Sequence, residues 1–259
     1  MILRRRLKMS TTTSRRGCWL AACLWIANVA QGQINYTGGV VFQDFDTLPS
    51  SGAFTFSTKG PQALDQPPIS AAGAAGWSLF ANVGTPLAFS PDSGGSSTSG
   101  VYSYGVSGSS ERALGFLANA SRVCRAGLRL VNQTGQTLTQ FTVSFVGEEW
   151  RSGDTTAADS ISVDYRIQAA SFDIDSGSAH TAIPTLAFSS PPNYSFEGGL
   201  NGNLSAHRTL RSATVTGISW PAGHTLMIRW FDSNSAGTEI TSDTGKNDSV
   251  TVPSACISC

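Results

Sequence analysis

The feature that most constrains this chain is a two-residue rhythm. From Phe141 to Phe145, and again from Ile161 to Ile167, every second side chain is large and apolar, while the residues between are Thr, Ser, Asp or Arg. Alternation of this kind places one apolar row on a core and one polar row in water, which only an extended strand does. The first run continues into Gly147-Glu148-Glu149-Trp150-Arg151, so a half-buried strand leads directly into two carboxylates, a tryptophan and an arginine.

Similar short runs recur along the chain, at 39–45, 77–82, 101–104, 113–117, 128–131, 186–188, 210–215, 226–230 and 249–252. This gives about ten or eleven strands, separated by Gly, Pro, Asn and Ser turns. With 27 Gly among 259 residues and only 13% charged residues, the composition lacks the Leu, Glu and Lys density of long helices. The expected fold class is all-β: an antiparallel two-sheet sandwich, jelly-roll-like, forming a single domain over residues 33–259. Within it, Gly52 to Gly76 reads as loop, and "SPDSGGSSTSG" from Ser90 to Gly100 as a mobile surface loop. Leu128–Val131 and Leu138–Val146 read as a hairpin joined through Asn132 and Gly135.

The amino terminus has a different character. Six basic residues (Arg4, Arg5, Arg6, Lys8, Arg15 and Arg16) precede an apolar run of 13 residues, Cys18 to Ala30, followed by polar Gln31 to Gln33. This is the layout of a secretory signal peptide over residues 1–32, cleaved near Ala30 or Gly32. The run falls short of the ~20 residues that span a bilayer, so no transmembrane segment is expected in the mature chain. Ser14-Arg15-Arg16 fits a twin-arginine signal poorly, and Leu20-Ala21-Ala22-Cys23 sits too early in the apolar run to favour a lipoprotein box. Without the six leading cations, the 17 basic residues fall to 11 against 17 acidic, a net of −6. Neither nucleic acid nor an anionic membrane is an expected partner. Secretion or cell-surface display is the expected localisation. Cys124, Cys256 and Cys259 remain after cleavage, which suggests one disulfide and one free thiol.

Several segments carry a resemblance. They are Phe45-Asp46 with Leu48-Pro49, Tyr102-Ser103-Tyr104-Gly105, Arg112-Ala113-Leu114-Gly115, Asn132 to Gly135, Gly147 to Arg151, Gly202-Asn203 and Arg229 to Asp232. Together they resemble a group of exported bacterial β-sandwich domains of unassigned activity, found alone, with sorting anchors or beside other extracellular modules. The resemblance implies fold and secretion, and no mechanism. The segment Thr238 to Lys246 and the terminal "PSACISC" depart from that group's pattern.

Candidate chemistry is sparse. Glu148 and Glu149 are neighbours on one strand and face opposite ways, whereas glycosidase carboxylates converge from separate elements. The expectation is that one of them pairs with Arg151 or Arg112 at a sheet edge. Asp232, Asn234 and Glu239 form an oxygen-rich loop of the kind calcium accepts, and Asp173-Ile174-Asp175 is a shorter fragment of that type. A structural Ca²⁺ is thus the one cofactor to consider. His180, His207 and His224 lack metal-binding spacing and read as surface residues. Trp150, Phe231 and Tyr194 are candidates for an aromatic platform under sugar rings. Trp230 shares parity with Leu226 and Ile228 and belongs to the core, with Met227 and Phe231 on the opposite face. The leading expectation is a secreted, non-enzymatic structural or interaction protein. A carbohydrate-binding module with bound calcium, its partner an extracellular glycan, is the alternative, and a glycan-cleaving enzyme the third.

Overall fold

The structure is a computed structural model that describes residues 32–56, 58–82, 87–118, 122–153, 160–169, 171–175, 179–190, 197–232, 249–252 and 255–258. The chain falls into two units, Met1–Ala30 and Gln31–Cys259, and all described residues belong to the second. The expected leader is outside the described residues apart from Gly32.

The described residues form an all-β sandwich. In chain order its strands are β1 (Ile34–Tyr36), β2 (Val40–Gln43), β3 (Phe54–Phe56), β4 (Gln62–Ala63), β5 (Trp77–Ala81) and β6 (Leu87–Asp92). There follow β7 (Gly100–Tyr104), β8 (Ala113–Leu117), β9 (Cys124–Asn132), β10 (Leu138–Ser152), β11 (Ser160–Gln168) and β12 (Thr181–Ala182). The last six are β13 (Phe188–Ser189), β14 (Gly198–Gly199), β15 (Arg208–Trp220), β16 (Thr225–Asp232), β17 (Ser249–Val252) and β18 (Ala255–Ser258). One sheet runs β12-β11-β16-β9-β5-β4, with β1 on β9 and β13 on β11. The other runs β2-β18-β10-β17-β8-β7-β6-β3, with β14 and β15 also on β10. Pairing is antiparallel except for β1 with β9 and β6 with β7.

The alternating rows do what their period requires. Phe141, Val143 and Phe145 of β10 point between the sheets and are at most 2% exposed, as are Ile161 and Val163 of β11. Rings meet across the gap, where Phe145 stands edge-on to Trp230 at 6.0 Å and Phe141 edge-on to Tyr165 at 5.2 Å, while within the smaller sheet Trp230 lies 5.1 Å from Trp77. Offset and edge-to-face contacts of this kind add to the apolar area they bury. The inward row of β10 ends at Gly147, where a Cβ would collide with the Phe188 ring, so the glycine is the socket that receives Phe188.

Three sequence expectations are corrected. First, β9 and β10 are not a hairpin, because β9 pairs with β5 and β16 in one sheet and β10 with β15 in the other. The connection is a corner built on buried Asn132, whose Nδ2 donates to the carbonyls of Gln136 (2.8 Å) and Trp220 (2.7 Å). Its Oδ1 accepts from Thr134 N (3.0 Å) and Thr134 Oγ1 (2.7 Å). The β15–β16 connection crosses between the sheets at the same place, with Gly223 N donating to Asn132 O at 2.7 Å and Trp220 Nε1 to His224 O at 2.8 Å. A turn signal in sequence gives the chain reversal but not the sheet that receives the next strand.

Second, the stretch read as loop from Gly52 to Gly76 contributes β3 and β4. These two- and three-residue strands are too short to carry a periodic signal. Third, the segment from Ser90 to Gly100 is pinned rather than loose. Strand β6 extends to Asp92, whose carboxylate accepts from Gly94 N (2.6 Å) and Ser96 N (3.3 Å). Tyr102 OH lies 3.0 Å from Ser96 Oγ and donates to the Thr98 carbonyl, and Arg122 Nη1 donates to Ser99 O at 2.9 Å. Local side-chain to backbone bonds give a Ser/Gly segment the order that its composition does not.

Trp230 is the ring on which both sheets close. Replacing it with alanine is expected to cost about 3–5 kcal/mol of unfolding free energy, measured by denaturant titration.

Candidate functional site

The larger sheet carries a second, smaller core on its outer face. Strands β7, β8 and β10 contribute Tyr102, Tyr104, Ala113, Leu117 and Trp150, all buried, and Tyr104 stacks on Trp150 with centroids 5.9 Å apart and planes 13° apart. Trp150 Nε1 donates to Glu148 Oε2 at 3.0 Å, and Glu148 Oε1 lies 3.9 Å from Arg208 Nη1. Two glycine-bearing segments close over the indole. Leu200 N donates to Trp150 O at 2.8 Å, a Cβ at Gly202 would collide with the indole Nε1, and one at Gly94 would collide with the Trp150 carbonyl. Gly94 also has φ +91°, a conformation that only glycine adopts without strain.

Beside this cluster lie two adjoining surface clefts. The polar one, about 300 Å³, is lined by Asp92, Ser93, Gly105, Ser107, Ser109 and Arg112 among others. The other, about 410 Å³, shares Ser93 and Ser107 and has Val106, Leu200 and the buried Trp150 in its lining. Arg112 is 4% exposed. Its Nε donates to Ser103 Oγ at 2.9 Å, its Nη2 to the Ser103 carbonyl, and its backbone N to Asp46 Oδ1 at 3.1 Å. Burial lowers the Arg112 pKa from its ordinary value, while the charges of Glu111 and Asp92 oppose the change. A guanidinium stays a cation under these conditions. Glu111 Oε2 accepts from Asn203 Nδ2 at 2.6 Å, which ties the loop bearing Asn203 to the cleft wall.

The expected site residues do not assemble as one cluster. Trp150 is 0% exposed, which corrects its candidacy as an open platform: both ring faces are spent on Tyr104 and the covering segments. Phe231 is half-buried on the outer face of the other sheet, paired with Ser162 and Arg125, so it cannot join Trp150 in a single row. Tyr194, Asn234 and Glu239 lie outside the described residues. The expected pairing of Glu148 or Glu149 with Arg151 or Arg112 is also corrected. Glu148 faces Arg208, Arg151 Nη1 donates to the carbonyls of Gly94 (3.3 Å) and Gly95 (3.4 Å), and Arg112 bonds to Ser103. Glu149 is 1% exposed.

Asp232 is 0% exposed, and its Oδ2 accepts from Ala118 N at 3.2 Å, fastening β16 to the end of β8. Beside it, burial pushes the Cys124 thiol up to about 12, with the Asp232 charge adding to the effect. Cys124 is free and inert. The other calcium candidate, Asp173 to Asp175, instead covers the outer face of the smaller sheet. Ile174 joins Phe80, Phe172 and Met227 in a small buried cluster, and Asp175 lies 3.7 Å from Arg125. Among the described residues no group of three His, Cys, Asp or Glu side chains is placed to hold a metal.

His180, expected at the surface, is half-buried against Phe172, with ring centroids 6.4 Å apart. Burial, and then the nearby Arg229, lower its pKa from 6.5 to about 4. Arg229 itself forks onto Asp164 at 2.6 and 2.8 Å.

Sequence reasoning singled out Arg112 but missed Asp92, Ser107 and Ser109. Their only signal was serine and glycine density, which reads as loop.

No protein-family model matches the chain, and no curated protein matches it. Solved structures give weak likenesses. The enzymatically active domain of tailspike protein 4 from bacteriophage CBA120 matches at TM-score 0.32 and 10% identity over 70% of this chain, which spans 19% of that chain. TmCBM61 in complex with β-1,4-galactotriose matches at TM-score 0.31 and 9% identity, covering 70% of this chain and 86% of that one. The K2 cleaved adhesin domain of Lys-gingipain matches at TM-score 0.35 and 14% identity, covering 80% and 98%.

Two measurements check this geometry. Gly94→Ala forces a Cβ against the Trp150 carbonyl and should cost about 1–3 kcal/mol in denaturant titration. Because the folded pKa of His180 lies below its unfolded value, the unfolded chain takes up the extra proton. Stability should therefore fall as pH drops from 6.5 toward 4, and His180→Phe should remove that component from melting curves recorded across the range.

Proposed function

We propose that this chain is exported and acts outside the cytoplasm as a non-catalytic recognition domain, with the paired clefts beside Arg112 and Trp150 as its binding surface. One observation carries the reading. A polar cleft with a serine-rich rim adjoins a second cleft that borders the buried aromatic cluster, and its walls are held by hydrogen bonds that Asp92 and Glu111 accept and Arg151 donates. Concave sites that combine an apolar floor with a few fixed polar groups are where small polar ligands bind. The mixture of hydroxyls, a carboxylate and a guanidinium suits a polyhydroxylated ligand, so an extracellular glycan is the partner class we favour. The carboxylates serve the scaffold: Asp92 accepts from backbone N–H groups and Glu111 from Asn203. A general acid or base needs a carboxyl within reach of substrate, and these two are engaged in holding loops. The basic, then apolar, amino terminus supports export.

Affinity electrophoresis through gels containing different polysaccharides tests the reading. Retardation of the purified protein in at least one gel is expected, and Ser107→Trp, which fills the shared wall of the two clefts, should abolish it. Free migration in every gel, or retardation unchanged by Ser107→Trp, would count against this surface.

A further inference from the structure

Arg112 carries the reading one step further. Its side chain is almost wholly buried, yet the two bonds from its Nε and Nη2 end on neutral oxygens of Ser103. None of the ion pairs among the described residues involves it. A buried cation without a bonded counter-ion is costly, and the arrangement is stable only where an anion completes it or nearby charges offset it. Here Asp92 and Glu111 offset it from a distance, with Asp92 accepting from Gly94 and Ser96 and Glu111 Oε2 from Asn203. The remaining nitrogen, Nη1, has no hydrogen-bond partner among the described residues. It lies against Gly105, where a Cβ would collide with it, and both Gly105 and Arg112 line the polar cleft. A guanidinium N–H held in place by its other two nitrogens is a preorganised donor, and a carboxylate is its strongest acceptor.

Resting on the recognition role above, we infer that the polar cleft takes a carboxylate-bearing sugar, a uronic acid unit, with its carboxylate on Arg112 Nη1. The serines at 50, 93, 107 and 109 supply neutral hydroxyl partners around the ring, and about 300 Å³ accommodates one such residue. The adjoining cleft offers Val106, with Leu200 and the buried Trp150 behind it, as an apolar wall to the next sugar of a chain. A peptide with a free C-terminal carboxylate presents the same charge but lacks the hydroxyls that the serine rim is placed to meet.

Isothermal titration calorimetry of the purified protein decides between these outcomes. The probes are disaccharides of galacturonate, glucuronate and mannuronate, their neutral counterparts, and acetyl-Gly-Gly. At least one uronate should bind tenfold or more tighter than its neutral counterpart and tighter by the same factor than acetyl-Gly-Gly, with affinity falling as salt rises. Arg112→Lys should reduce that preference to less than threefold. Ser107→Trp, on an exposed turn, should abolish binding of every sugar with the melting temperature unchanged. Equal affinity for acidic and neutral sugars would overturn the carboxylate assignment and leave the recognition role in place. Equal affinity for acetyl-Gly-Gly would overturn the sugar class. No binding of any probe by the folded protein would overturn both.

Discussion

The edge-on contact between Phe145 and Trp230 is where the two sheets commit to one another. Each ring belongs to a strand near the middle of its own sheet, and each is fully buried or nearly so. Because Trp230 also packs on Trp77, and Trp77 on Phe45 at 4.9 Å, one chain of rings crosses the interior from β10 to the loop after β2. Apolar burial on this scale sets the register of every strand that contributes to it, since a one-residue slip would turn the whole inward row toward solvent.

That register fixes the outer face. With Phe141, Val143 and Phe145 directed inward, Glu148 and Trp150 are directed outward, and the indole needs its own cover. The chain supplies it from segments distant in sequence, with Gly94 and Gly202 allowing close approach and Leu200 bonding to the Trp150 carbonyl. Five of the seven short segments behind the sequence resemblance converge here. Asp46 accepts from Arg112, Gly105 makes room for its guanidinium, Tyr104 stacks on Trp150, and Asn203 holds Glu111. Segments scattered along the sequence are in large part the joinery of one surface.

The legibility of the sequence follows from how local each signal is. Ile161 and Val163 could be assigned to the core because a period of two depends only on neighbours along a strand, and Trp230 for the same reason. The Asn132 corner could not be read, because its hydrogen bond to Trp220 links residues far apart in the chain. Trp150 shows the limit most clearly: parity places it off the main core, and off the core ordinarily means exposed, but covering loops can bury a residue on either face. The cleft residues were hidden for the opposite reason, since Ser93, Ser107 and Ser109 have a composition suited to any turn and acquire meaning only through Arg112 behind them.

The Asp92 turn has a consequence for energetics. A loop that stiffens only when it captures a guest gives up conformational entropy at that moment, and the loss weakens the complex. Here the Gly94–Ser99 segment is already fastened by Asp92, Tyr102, Arg122 and Arg151. Its ordering belongs to folding, so a guest would meet a wall already in its final shape.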